Sequence, residues 1–333
     1  MNSTAAALAT RVLPASAAAI AEAARILAGG GLVAFPTETV YGLGADATNG
    51  RAVARLYEAK GRPAFNPLIA HVLDRPAAAA LARFDADAVL LAAAFWPGPL
   101  TLVLPRAAKC PVAELATAGL DTIAVRAPDH KVAREILAAL GKPVVAPSAN
   151  RSGHVSPTSA EHVLADLSGR IDLIVDGGPT PVGVESTIVA CLGKPVLLRP
   201  GGLPRATIEQ ALGQKLADGA AAARSVEGAP LAPGMLTAHY APRTRLRLNV
   251  RRVEPGEALL AFGPAAIEGA AWAQPVLNLS PRGDLVEAAA NLFALLRTLD
   301  AAGAKAIAVM PIPADGLGEA INDRLLRAAT GTA

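Results

Sequence analysis

The chain has 333 residues, more than one typical hydrophobic core accommodates, so two domains are expected. Hydrophobic residues make up 52% and charged residues 18%, which excludes a disordered chain, and an aromatic share of 3% argues against base stacking as a main activity. The net charge of +3, from 31 basic and 28 acidic residues, is too mild for a global nucleic-acid surface.

Two well-separated cysteines, Cys110 and Cys191, and five histidines without ligand spacing give no disulfide framework or zinc motif, and they fit a reducing cytoplasm. No apolar run is long enough to span a membrane. The first residues, MNSTAAALATRVLPASAAA, lack the charge pattern of a signal peptide and read as a short ragged extension.

Residues 17–27 place Ile20, Ala24 and Leu27 on one helical face, and Gly29-Gly30-Gly31 ends that helix. Residues 32–35 read as a buried strand, 51–60 as a helix and 68–72 as a strand. Alanine-rich helical segments run to Phe95, where Trp96-Pro97-Gly98-Pro99 breaks them. Strands are expected over 100–104, 122–126, 143–146, 173–176, 186–190 and 195–199, with a helix over 132–140. The interleaving lacks a strict βαβ rhythm, so the fold class is α/β with a mixed sheet. Over 213–242 Gly, Ala, Pro and Ser dominate and mark a linker. Beyond it RLRLNV, ALLAFG, a helix over 285–299, AIAVMPIP and a helix near 319–327 alternate as a small α/β domain with a parallel sheet.

Polar residues gather at strand ends in the first two hundred positions. In Pro36-Thr37-Glu38-Thr39-Val40-Tyr41-Gly42-Leu43-Gly44, Thr37 and Thr39 share a side if the backbone is extended, and glycine lets the main chain approach a ligand. An ordinary strand-to-helix turn is an equal reading of the same segment. In Lys60-Gly61-Arg62-Pro63, an extended chain points both cations one way, a suitable pair for polyphosphate. A solvated helix end is the alternative. No GxxxxGK[ST] element is present. After the strand at 143–146, Ser148 and Asn150 offer uncharged donors and acceptors, or else a polar turn. Arg126 ends a core strand, where a cation is costly unless it meets an anion. His71, Ser186, Thr187 and Arg199 stand at or near other strand ends. Such a basin suits a nucleotide and a small amphoteric substrate.

Five blocks carry a resemblance to a known family: PTETVYGLGADA, KGRPAFNPLIAHV, WPGPLTLVL, PSANRSGHVSPT and ESTIV followed by LLRPG. In this order they resemble the YrdC-like threonylcarbamoyl-AMP synthases over residues 17–213. APGMLTAHYAP and the segment beyond it resemble the long, two-domain form. The resemblance implies a YrdC-like mixed twisted sheet whose helices leave a concave basic cavity (16–212), a linker or lid (213–242) and a small Rossmann-like α/β domain (243–330). It implies synthesis of L-threonylcarbamoyl-AMP and pyrophosphate from L-threonine, bicarbonate or CO2, and ATP. The product would serve N6-threonylcarbamoyladenosine formation beside the tRNA anticodon, handed on to the transfer machinery. Mg2+ would arrive with ATP, no side chain serving as a metal ligand, and no stable nucleic-acid or membrane binding is expected.

By the same resemblance Lys60, Arg62, Ser148 and Asn150 form the catalytic set. The ATP side takes Arg62, Asn66, Thr122, Asn150, Thr158, Arg199, His239 and Tyr240, and the threonine side takes Thr39, His71, Arg126, Ser148 and Ser186. One departure is local: Leu236 and Thr237 follow Gly234-Met235 where the long form carries a basic and an aromatic residue. The alternatives are an RNA-binding module, disfavoured by the charge and aromatic content, and a carbamoyl-transfer domain of the same fold, disfavoured by the absence of zinc-finger cysteines.

Overall fold

The computed structural model describes residues 8–219 and 240–331. The chain opens with strand β1 (Arg11–Pro14), so the sheet starts inside the segment expected to be a ragged extension. Its main chain pairs in parallel with a strand 162 residues downstream, a partner that no local pattern announces. Helix α1 (Ala17–Ala28) starts at Ser16, whose hydroxyl accepts from the Ala19 amide. It ends as the glycine triplet implies, with Gly30 at φ +79.

Strand β2 (Val33–Pro36) turns back through 37–40 into β3 (Tyr41–Asp46), so half of the expected turn segment is a fully buried strand. Helix α2 (Gly50–Lys60), capped by Asn49, follows, and then β4 (Ile69–His71). The alanine-rich stretch forms α3 (Arg75–Ala79) and α4 (Ala86–Phe95). The next elements are β5 (Leu100–Pro105), α5 (Glu114–Thr117), β6 (Thr122–Arg126), α6 (Lys131–Leu140), β7 (Val144–Val145), α7 (Ala160–Leu167), β8 (Leu173–Asp176), β9 (Thr187–Ala190) and β10 (Val196–Arg199). Helix α8 (Arg205–Leu212) and the short β11 (Ala217–Asp218) end this part.

Among the described residues these strands form one mixed sheet, ordered β1-β8-β2-β3-β7-β4-β6-β5-β9-β10-β11. Alternation along each strand sorts side chains between its faces. Val33 and Phe35 pack with α1 and α6, while Leu32 and Ala34 join the larger core on the opposite face. Over β4, β5, β6, β9 and β10 the first of these faces carries only a small strand-borne cluster, Ile69, Val103, Ala124, Ile188, Ala190 and Leu198, to which no helix contributes. That uncovered stretch holds the cavity.

The remainder builds β12 (Leu246–Arg247), β13 (Ala258–Ala261), β14 (Val276–Asn278), helix α9 (Leu285–Ala301), β15 (Ile307–Val309) and helix α10 (Gly318–Thr330). Its sheet, ordered β12-β15-β13-β14, is parallel throughout, as the alternation predicts. It is not a loosely tethered appendage. Val40, Val155 and Val184 of the first part share one apolar core with Tyr240, Leu292, Phe293 and Ile321. At Gly183, an added Cβ would lie 2.3 Å from the Ala289 carbonyl of α9, so this close approach requires glycine. No helix among the described residues is long and apolar enough to cross a membrane.

Candidate active site

The strand ends converge on a cavity of about 480 Å³ of empty space, including its mouth, lined by Thr39, Arg62, His71, Arg126, Ser148, Glu185, Ser186, Arg199 and Tyr240 with apolar neighbours. Side-chain parity brings several of them there. Ile69 and His71 on β4, and Ala124 and Arg126 on β6, share the uncovered face, and the two strands pair with His71 opposite Arg126. Arg199 needs a further device. The β9–β10 register shifts between Leu197 and Arg199, and this bulge turns Arg199 onto the cavity side. Its guanidinium donates to the Ser186 carbonyl (2.8 Å) and reaches the Ser186 hydroxyl (3.3 Å).

Arg126 is buried, and its fork is divided. Nε donates to the Gly98 carbonyl (3.2 Å), Nη1 donates to the Thr39 hydroxyl (3.1 Å), and Nη2 lies 2.6 Å from Glu38 Oε1. The anion that the buried cation demanded is therefore within the chain, and sequence reasoning missed it although Glu38 sits in the quoted motif. Glu185 was missed likewise. It accepts from Ser156 Oγ (2.6 Å) and from Arg324 Nε (2.7 Å). Against the cost of burial, Arg324 and Arg199 pull its carboxyl down to about 2. Glu38 lies beside Arg126, and Glu185 faces both Arg324 and Arg199, so among the described residues Arg62 is a wall cation with no ion pair to a carboxylate.

Lys60 and Arg62 do not point together. Lys60 is the last residue of α2, and Gly61 adopts the left-handed conformation (φ 60), so the chain between them is not extended. The Lys60 ammonium, 2% exposed, donates to the Ser148 and Asn150 carbonyls behind the wall. Burial and the Arg62 charge push its pKa well down. Arg62 turns into the cavity, held by the Asn66 (3.2 Å) and Pro67 (3.0 Å) carbonyls through Nε and Nη2. Burial lowers its pKa to about 10.

Ser148 lines the cavity, whereas the Asn150 amide turns away to donate to the Arg151 and His154 carbonyls, both at 2.8 Å. Their sharing of one side assumed an extended chain, and this segment is a turn. For the same reason Thr37 bonds to Thr39 (2.8 Å) and to the Val40 carbonyl, leaving Thr39 alone on the wall. Asn66 and Thr158 are buried but do not line the cavity, and the Asn66 and Asn150 Oδ1 atoms have no hydrogen-bond partner. Thr122 shares the face of Arg126 at the opposite end of β6, four residues or about 13 Å away. Tyr240 lines the cavity and stacks on Phe293 (centroids 5.6 Å apart), while His239 lies outside the described residues.

His71 is buried with Nδ1 3.2 Å from the Ile69 carbonyl, so Nδ1 carries the proton and Nε2 stays an acceptor. Burial and the Arg126 charge lower its pKa to about 3 from 6.5. Across that window the unfolded chain takes up a proton that the folded chain refuses, so stability falls as pH drops from 6.5 toward 3. His71→Gln is expected to lose less stability than the unaltered chain between about pH 7 and about pH 4, measured by urea unfolding at each pH. Identical slopes would refute a buried neutral histidine.

The family comparisons extend this picture. A family model described as telomere recombination, spanning Sua5, YciO and YrdC, matches residues 25–201. A second, described as the threonylcarbamoyl-AMP synthase C-terminal domain, matches residues 203–330. Escherichia coli YciO superposes with a TM-score of 0.52 at 22% identity over 58% of this chain and 96% of its own, a likeness of fold alone. The mixed sheet and its strand-end cavity thus place the chain in the class of YrdC-like α/β proteins.

The particular relatives cover both parts. The chain is 44% identical over 327 residues to threonylcarbamoyl-AMP synthase of Pyrococcus abyssi, spanning 92% of this chain and 93% of that protein. It is 43% identical over 325 residues to threonylcarbamoyl-AMP synthase of Bacillus subtilis, spanning 94% and 93%. The crystal structure of P. abyssi Sua5 complexed with L-threonine superposes with a TM-score of 0.86 at 40% identity over 98% of each chain. The chain belongs to the threonylcarbamoyl-AMP synthase family, in its two-domain form.

Proposed function

We propose that this chain makes L-threonylcarbamoyl-AMP and pyrophosphate from L-threonine, bicarbonate or CO2, and ATP, for tRNA modification. One observation carries the reading beyond family membership: hydroxyls, a neutral imidazole and several guanidinium groups meet in one cavity. That donor set suits a hydroxylated amino acid beside a polyphosphate.

Threonine's amine attacks CO2 and, on losing a proton, becomes a carbamate. A carbamate oxygen then attacks the α-phosphorus of ATP, and the α,β-bridging bond breaks to release pyrophosphate. Negative charge moves along phosphate oxygens, so fixed cations stabilise the transition state without a covalent nucleophile. Arg62 and Arg199 are assigned to that charge. Thr39, His71, Ser186 and Arg126 are assigned to threonine, and Ser148 to the boundary between the substrates. Asn66, Asn150, Thr122 and Thr158 are assigned to the nucleotide, supported by the two unpartnered Oδ1 atoms and the shared face of β6. Lys60 belongs to the catalytic set as the support of the Ser148–Asn150 turn. With a pKa of about 3, His71 is a hydrogen-bond acceptor rather than a base for an ammonium.

Among the described residues no three His, Cys, Asp or Glu cluster, and both carboxylates at the cavity are ion-paired. No step is derived through a protein-bound metal, and Mg2+ enters this proposal only as an ion carried by ATP. The division into 16–212, a lid over 213–242 and 243–330 is part of the same proposal. It is supported by the two separate sheets and by Tyr240, the described end of that lid, lining the cavity, while β11 (Ala217–Asp218) extends the first sheet into the start of the segment.

Threonine is expected to be used at least about 10³-fold more efficiently than valine, because a site that hydrogen-bonds a hydroxyl leaves buried groups unpaired when the isostere binds. Pyrophosphate release with each amino acid at saturating ATP and bicarbonate tests this. Equal use of valine would overturn the assignment of Thr39, His71 and Ser186.

A further inference from the structure

Arg324, on α10, has no exposed surface and is the largest fully buried side chain among the described residues. Its contacts leave its own domain. Nε donates to Glu185 Oε2 (2.7 Å) on the segment entering β9. Nη2 donates to the Pro200 carbonyl (3.0 Å), one residue beyond Arg199. The guanidinium carbon lies over the Tyr240 ring, 5.2 Å from its centroid, within range of a cation–π contact. Nη1 binds Asp323 beside it, which itself pairs with Arg327. One rigid fork thus touches three separate pieces of the cavity wall.

We propose that Arg324 is a positioning residue through which the C-terminal domain sets the substrate cavity, holding the Glu185 carboxylate, the Arg199-bearing strand end and the Tyr240 ring in one arrangement. The planar fork matters as well as the charge. A lysine ammonium in its place can neutralise Glu185 but cannot also reach the Pro200 carbonyl and cover the Tyr240 ring. The inference rests on the function proposed above and extends it to a residue outside the cavity.

The charges facing Glu185 define a second readout. Arg324 approaches it from α10 with Asp323 alongside, Arg199 from β10 and Tyr240 from the returning chain. Without Arg324, burial acts on the Glu185 carboxyl against Arg199 and the Ser156 hydroxyl alone, so its pKa rises from about 2. Activity that needs the charged carboxylate then fails at a higher pH than in the unaltered enzyme.

The test uses the full chain with Arg324→Met and Arg324→Lys. Arg324→Met is expected to lower kcat/KM for threonine-dependent pyrophosphate release by about 10- to 100-fold and to shift the acid limb of the pH profile upward. Hydrogen exchange should quicken in peptides covering 183–187 and 199–203 before the rest of the chain changes. Arg324→Lys is expected to restore the acid limb while kcat/KM stays several-fold low. If Arg324→Met does not fold, Arg324→Lys alone decides. Wild-type kcat/KM in Arg324→Lys overturns the role of the fork, and so does faster exchange spread evenly over the C-terminal domain. An unaltered enzyme that makes no product from threonine, bicarbonate and ATP overturns the proposed function, and the exchange comparison then still decides the positioning claim.

Discussion

Arg62→Ala is expected to lower kcat/KM for pyrophosphate release by about 10²- to 10³-fold, the usual consequence of removing one preorganised charge from a transition state. Two features single this residue out. Arg62 faces the cavity with no ion pair to a carboxylate among the described residues, whereas Arg126 has Glu38 at 2.6 Å. Its Nε and Nη2 are fixed by backbone carbonyls, so the fork is already oriented before substrate arrives. Arg62→Lys keeps a charge but loses the two-point anchoring, and an intermediate rate is expected. Steady-state release assays on purified variants, with circular dichroism as a check on folding, measure both effects. A near-normal rate in Arg62→Ala would transfer the phosphate role to Arg199.

Lys60→Met is expected to behave differently, losing stability together with activity. Its buried ammonium satisfies the buried Asn150 carbonyl and the partly buried Ser148 carbonyl. Unpaired, each buried carbonyl costs about 1–3 kcal/mol, so a loss of about 2–5 kcal/mol is expected in urea unfolding. Activity should fall because Ser148 loses its support, not because a phosphate loses its partner. Full stability with abolished turnover would contradict this and return Lys60 to direct contact with substrate. The contrast between the two variants separates a residue that meets charge in the cavity from one that holds its wall.

Much of the architecture was legible from local pattern. Short, nearly continuous apolar runs located β5, β6, β8 and β10, and the parallel C-terminal sheet followed from its strand–helix alternation. Capping chemistry located the end of α1, since Gly30 is left-handed where the glycine triplet implies it. The five blocks, taken in order, also pointed to the family and to most of the residues that line the cavity. Nearest-neighbour sterics and side-chain periodicity act within a few residues, so the sequence by itself determines features of that range.

What tertiary structure alone decided is who meets whom across the chain. Strand β1 was invisible because its identity is its pairing with β8, not its composition. The direction of Lys60 turned on a single left-handed residue, Gly61. The aim of Arg199 turned on a bulge that exists only against β9. The partners of the buried charges, Glu38 for Arg126 and Arg324 for Glu185, could not be read from charge counts. A buried ion must find compensation somewhere, and only the folded chain determines which residue supplies it; for Glu185 that residue lies 139 positions away.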